Sequence, residues 1–202
     1  MRTSVSPLKP FVSVHRTRTR TPDLILGPFY PAGLVPPQRN DLTVPRDYGR
    51  PAKGQHVHLR GTVTDETGGS VAGAEIQIWQ ANSTGRYRHP CDASPSPLDP
   101  GFDGFAAQIT DAQGRYSFRT VKPGAYRATD TEMRAPHIHF QVTAGAFRLI
   151  TQMFFDDETL NGQDRHLQAL RMPALLVAQR LSPPEHPQDI PTYQWNLVVK
   201  RP

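Results

Sequence analysis

From residue 55 onward, apolar and polar residues alternate in short runs separated by turn formers, the period of half-buried β-strands rather than of helices. "HVHLRGTVTD" (56–65) is the first such run, and the turn "ETGGSVAG" follows it. "AEIQIWQA" comes next, with Ile76, Ile78 and Ala74 on one face. "FAAQIT", "RYSFRTV", "HIHFQVT", "RLITQMFF" and "YQWNLVV" continue the series, with "DAQG" and "KPG" as tight turns. Strands at roughly 8–15-residue spacing, joined by tight turns, predict an all-β fold, a β-sandwich.

Three stretches break this rhythm. "NGQDRHLQALRMPALLVAQRL" (161–181) sets Leu167, Leu170, Leu175 and Leu176 at near-helical spacing, which predicts one C-terminal helical segment that Pro173 kinks or splits. His166 within it reads as a surface residue. Residues 21–53 are rich in proline and turn formers and predict an extended N-terminal wrap rather than a linker. Residues 86–103, "RYRHPCDASPSPLDPGFD", are too long and proline-rich for a hairpin, so they predict a long ordered loop of the kind that carries function. The expected organisation is a flexible basic arm over 1–25, then a single domain over 26–202.

Composition sharpens this in two places. The net charge of +5 comes from Arg2, Lys9, Arg16, Arg18 and Arg20, which leaves 18 basic against 18 acidic residues over 21–202. A charge confined to a terminal segment argues against nucleic-acid binding by the neutral body. The single cysteine, Cys91, excludes an internal disulfide and fits a reducing compartment. No signal-peptide pattern and no apolar run of membrane-spanning length is present, so no membrane association and a cytoplasmic location are expected.

Candidate chemistry begins with two His-x-His pairs, since residues i and i+2 of a strand share a face. Around His56 and His58 no other ligand type is placed with any logic. His137 and His139 differ: Arg134 and Pro136 precede them, Tyr126 follows the "KPG" turn, and Tyr87 stands in the loop "NSTGRYRHP". Two imidazoles and two phenols suit a trivalent cation, which is a strong enough Lewis acid to ionise a phenol. Zinc favours thiolate or carboxylate, and oxygen-activating ferrous sites use two histidines and a carboxylate. Taken singly, each tyrosine also has a purely structural reading.

The stretches "GPFYP", "AEIQIWQANSTGRYRHP", "LDPGFDGFAAQITDAQGRYSFRTVKPGAY", "RAPHIHF" and "ITQMFF" resemble the intradiol ring-cleavage dioxygenases, above all the protocatechuate-type branch, from about residue 26 to 160. The resemblance implies a non-haem Fe(III) cofactor and cleavage of a catechol-type ring between its hydroxyl-bearing carbons. Dioxygen is the co-substrate, and a cis,cis-muconate-type diacid is the product. It implies Tyr87, Tyr126, His137 and His139 as metal ligands, with Tyr126 the one that leaves when the diol chelates. Arg134 would stabilise developing negative charge, with Gln152 orienting it, and the substrate would be protocatechuate or a related substituted catechol. Gly27, Pro28, Trp79 and Phe154 would flank the substrate. The wrap leaves no room for the helical dimerisation domain of catechol-cleaving members, and a homo-oligomer is expected, with Gly27 and Pro28 acting in cis or from a neighbour. Two features depart from the protocatechuate pattern: "RATDTEM" is short and lacks a tryptophan, and Met153–Phe154 stand where a tyrosine is often found. A non-catalytic sandwich subunit of a dioxygenase complex, or a general β-sandwich binding module, is the alternative.

Overall fold

Alternation gives β1 (His56–Asp65) an apolar inner face: Val57, Leu59 and Val63 are buried, while Arg60 is exposed and His56 and His58 are half-buried on the opposite face. The computed structural model describes residues 17–34, 37–44, 49–181 and 189–200. In it β4 (Arg115–Val121) runs antiparallel to β1 along one edge. Along the other edge β10 (Thr192–Gln194) and β11 (Leu197–Val199) run parallel to β1 in one continuous register. The expected single strand "YQWNLVV" is thus two pieces, parted at Trp195–Asn196. There Thr62 N donates to the Asn196 side chain at 3.1 Å instead of to a backbone carbonyl. Gly61 permits the close crossing, since a Cβ would sit 1.7 Å from Trp195 O.

The second sheet is antiparallel, in the order β3 (Phe105–Ile109), β2 (Glu75–Trp79), β7 (His137–Ala144) and β8 (Phe147–Phe155). β9 (Val177–Leu181) pairs with the end of β8 and with β10, so it ties the two sheets into a nearly closed whole. Ile76, Ile78, Ile138, Phe140 and Val142 pack against Val57, Leu59, Val63 and Phe118 between the layers. The Phe140 ring spans them, 5.0 Å from Trp195 and 6.0 Å from Tyr116. The all-β sandwich expected from the alternation is the fold observed.

The predicted helix over 161–181 is not formed as such. A 3-10 turn (Thr159–Gln163), a single α-helical turn α1 (Arg165–Gln168) and a second 3-10 turn (Pro173–Leu176) take its place, and 177–181 are strand β9. Pro173 cannot donate to a helical carbonyl, so it starts a new turn instead of continuing the old one. The free edges of β8 and β10 then claim 177–181, and tertiary pairing overrides a leucine spacing that alone suits a helix. Among the described residues no helix is long and apolar enough to cross a membrane.

Period two sends His137, His139 and Gln141 to the face of β7 opposite Ile138, Phe140 and Val142, yet both faces are buried. The N-terminal wrap supplies the cover. Leu24 N donates to Ile150 O at 2.8 Å, and the Tyr30 hydroxyl donates to Gln77 Oε1 at 3.2 Å. Further on, the wrap bridges Gln38 to Ala107 and Asp41 to Arg119. Within the basic arm, Arg18 N donates to Glu66 O at 2.8 Å, Arg20 pairs with Glu66 at 3.2 Å, and Thr21 N donates to Val198 O at 2.9 Å. Arg2, Lys9 and Arg16 lie outside the described residues.

Candidate active site

Four aromatic rings from three separate segments meet on the covered face of β7. His137 and His139 come from the start of the strand, their ring centroids 5.0 Å apart. Tyr126 lies 5.7 Å from His137, Tyr87 lies 6.2 Å from His139, and the two phenol rings stand 5.6 Å apart and perpendicular. His137 Nδ1 contacts Ala135 O at 2.7 Å. A carbonyl only accepts, so Nδ1 carries the proton and Nε2 keeps a free lone pair. That Nε2 is buried without a protein partner, as are His139 Nδ1 and Tyr87 Oη.

Local turn chemistry sets the tyrosines. Asn82 Oδ1 accepts from Thr84 N and Arg86 N at 3.0 Å each, which folds the 82–86 turn. Gly124 N donates to Asn82 O at 2.9 Å, so the turn before Tyr87 is clasped to the turn before Tyr126. The contact is tight: a Cβ on Gly85 would lie 2.4 Å from Ala125 O. Tyr126 opens a small hairpin of β5 (Tyr126–Arg127) and β6 (Met133–Arg134), where its cross-strand partner is Arg134.

The electrostatics favour neutral donors. Burial pushes His137 down to about 3, with Arg134 adding to the effect, and burial likewise pushes His139 well below the usual imidazole range. Both histidines are therefore in the ligating form at neutral pH. Burial raises both phenols; for Tyr126, the Arg134 charge and the nearby Tyr87 phenol partly offset it. Protein groups alone leave the two tyrosines protonated. Among the described residues no group of three His, Cys, Asp or Glu converges. The donors facing the imidazoles are the phenols, a set that fits a strongly Lewis-acidic trivalent metal.

In front of the rings lies a cavity of about 690 Å3, lined by Tyr126, Arg134, Pro28, Phe29, His166 and the 91–96 loop. Arg134 is held rigidly on its wall. Nε donates to Asp164 Oδ2 at 2.9 Å, and Nη2 donates to Gln152 Oε1 at 2.6 Å. Gln152 in turn donates to Ile25 O in the wrap at 3.3 Å.

Comparison with known proteins agrees with this geometry. The family model described as Dioxygenase matches residues 25–201. The beta chain of protocatechuate 3,4-dioxygenase from Burkholderia cepacia is 40% identical over 142 residues, 68% of this chain and 60% of that one. The alpha chain from the same organism is 34% identical over 182 residues, 85% of this chain and 89% of that one. The dioxygenase domain of a dioxygenase–carbohydrate-binding fusion from Streptomyces sp. SirexAA-E shares the fold, with a TM-score of 0.69 at 24% identity over 90% of this chain and 99% of that one. The chain belongs to the intradiol dioxygenase family. It spans 60% of the beta chain's length and most of the alpha chain's.

Within this intradiol dioxygenase chain the flanking residues fall into two groups. Pro28 lines the cavity, and Gly27 (φ +77°) passes so near His139 that a Cβ would lie 3.0 Å from its Cε1. Trp79 and Phe154 do not line the cavity. Trp79 is stacked behind His139, centroids 4.8 Å apart and nearly parallel, and Phe154 lies 5.6 Å from His137. Both are essentially fully buried and back the imidazoles. His166 reaches the cavity, its Nε2 3.2 Å from Glu132 Oε1, rather than standing free on the surface. His56 is spent elsewhere, its Nε2 2.9 Å from Ala52 O. Sequence reading missed Asp164, which is wholly buried, also accepts from Ala135 N at 3.0 Å, and caps α1. An acidic residue just before the periodic leucines was the available signal, an N-cap signature.

Proposed function

We propose that this chain is a non-haem Fe(III) intradiol dioxygenase acting on protocatechuate or a related substituted catechol. Tyr87, Tyr126, His137 and His139 hold the metal. One observation carries the reading: three buried rings and the half-buried Tyr126 converge while Tyr87 Oη, His137 Nε2 and His139 Nδ1 lack protein partners. An unsatisfied buried polar atom costs about 1–3 kcal/mol, so a cluster of them implies a ligand that satisfies them together.

When bound, ferric iron supplies the Lewis acidity that ionises the phenols and polarises a chelated diol. The residues do the rest. Tyr87 is sealed from the cavity and stays in place, whereas Tyr126 lines the cavity and is placed to take a diol proton on its phenolate oxygen. Arg134, already fixed by Asp164 and Gln152, presents its charge to the diolate and to the negative charge that develops as the ring opens. Gly27, Pro28 and Phe29 close the site against water. The bond between the hydroxyl-bearing carbons breaks, and both atoms of dioxygen enter the cis,cis-diacid product. One chain supplies both the ring set and the Gly27–Pro28 wall, so the site needs no second chain type. The alpha and beta chains among the relatives support a multi-chain assembly, here a homo-oligomer.

A second reading, a non-catalytic subunit, draws on the match to both an alpha and a beta chain. Elemental analysis, the visible spectrum and oxygen uptake separate the two. The dioxygenase gives stoichiometric iron, a tyrosinate-to-iron charge-transfer band and diol-dependent oxygen consumption. A colourless protein that iron cannot reconstitute is the non-catalytic one.

A further inference from the structure

The cavity in front of Tyr126 and Arg134 has more room than one ring and two hydroxyls need. At about 690 Å3 it falls among sites of about 300–1,000 Å3 that enclose drug-sized ligands. Its reacting end is covered, with Tyr126 paired to Arg134 across the β5–β6 ladder and Phe29 from the wrap packed edge-on to Tyr126. From there it runs outward between the 91–96 loop and the hairpin. Exposure rises along the same line, from buried Arg134 through half-buried Tyr126 to exposed Arg127, Ala128 and Met133.

Ala93, Ser94, Ala125 and Ala128 give this outer part small side chains, with the longer Arg127 and Met133 at its exposed rim. At Gly85, in the same wall, none can be added, because φ is +81° and a Cβ would meet Ala125 O at 2.4 Å. Nor is the loop free to collapse onto a small ring. Asp92 accepts from Tyr87 N at 2.6 Å and from Ser94 N at 2.8 Å, and Arg86 Nη1 donates to Ser96 O at 2.7 Å. The loop is pinned to the 86–87 backbone and side chain at two points and braced within itself by the Asp92–Ser94 bond.

We propose that this outer part is a substituent subsite, and that the preferred substrate is a catechol bearing an extended, largely apolar group about the size of a second ring. The proposal rests on the catechol reading above and adds what the ring carries. The diol end lies against Tyr126 and Arg134, and the substituent lies between Ala93 on the loop and Ala128 on the hairpin.

Oxygen uptake by the iron-loaded chain with catechol, 4-methylcatechol and 4-phenylcatechol tests it. The expected order places 4-phenylcatechol at or above catechol in kcat/KM. Ala93→Phe and Ala128→Phe fill the subsite from opposite walls, so a folding failure in one leaves the other. Each should lower the ratio of kcat/KM for 4-phenylcatechol to that for catechol by roughly tenfold or more. Turnover of catechol with 4-phenylcatechol refused, or a ratio that neither variant moves, overturns the subsite and leaves the dioxygenase standing. No turnover of any diol by the iron-loaded protein overturns the dioxygenase reading and the subsite with it.

Discussion

Arg134 Nε and Asp164 Oδ2 meet at 2.9 Å where Asp164 has no exposed surface and Arg134 only 3%. Burial alone would raise the Asp164 carboxyl, but the Arg134 charge and its hydrogen bonds bring it below the ordinary carboxylate range. The same carboxylate accepts from Ala135 N and from His166 N and Leu167 N, so it fixes the guanidinium and α1 together. Asp164→Asn keeps the cap through its amide oxygen, since asparagine caps as well as aspartate, but its amide nitrogen donates, so the bonds accepted from Arg134 Nε and Ala135 N go with the charge. Breaking a buried pair by removing one charged partner costs about 3–5 kcal/mol. The expected outcome is a lower Tm, unchanged iron content and colour, and kcat reduced roughly tenfold or more with KM nearly constant. A loss confined to KM would show that Asp164 does not act through Arg134.

The two tyrosines should separate cleanly. Tyr126 borders the cavity and Tyr87 is buried behind it. Tyr126→Phe is expected to retain iron, shift the visible band and slow diol uptake in stopped-flow, whereas Tyr87→Phe is expected to lose iron by elemental analysis. Iron-free protein gives a second readout. The Tyr87 hydroxyl is buried without a well-formed hydrogen bond, so its removal should leave stability unchanged or raise it by about 1 kcal/mol. Urea unfolding of the two iron-free proteins checks this, and a marked loss would mean that the hydroxyl is already satisfied by protein.

Gly27 is constrained twice, by φ +77° and by the 3.0 Å approach its Cβ would make to His139 Cε1. Gly27→Ala should therefore cost about 1–2 kcal/mol from the left-handed backbone alone. It should also displace the His139 ring and lower iron occupancy. Denaturant titration measures the first effect and metal analysis the second. Gly33→Ala, with φ +78° but nothing within 4 Å of its Cβ, is the control that shows backbone strain without loss of iron.

The strands were legible because alternation and turn chemistry are local. The first strand runs over 56–65 and the fourth over 115–121, the bounds that the polar pattern implies. The helix over 161–181 failed because leucine spacing records which residues are buried, and not that sheet edges stand ready to pair with 177–181. The four rings became a set only through long motifs, since Tyr87 and Tyr126 are brought together by turns that clasp each other in space. Period two correctly places Trp79 and Phe154 on the histidine face, but it carries no depth, and both lie behind the imidazoles. Asp164 was invisible as a site residue because its partner lies 30 positions away in another element.

A last prediction concerns acid stability away from the rings. Lys122 Nζ lies 2.9 Å from Asp157 Oδ1 and 2.7 Å from Glu158 Oε1, and the Tyr193 hydroxyl donates to Asp157 Oδ2 at 2.8 Å. These contacts join the end of the fourth strand to the turn after the eighth and to the tenth. Burial pulls the Asp157 carboxyl upward, but hydrogen bonds from Lys122 and Tyr193 and the lysine charge win, and it lies below its ordinary value. A carboxyl with a folded-state pKa below the unfolded one, about 3.9, contributes stability at pH values above the unfolded pKa. That contribution fades as pH falls through the folded pKa. With Asp157 about one-third exposed, solvent screening holds it to about 1 kcal/mol or less. Tm measured from pH 7 to pH 2.5 on iron-free protein should show Asp157→Asn below the parent at neutral pH. The two curves should converge at the acid end. A gap that persists undiminished at pH 2.5 would mean that asparagine disturbs packing, and that the carboxylate charge is not what binds these three strands.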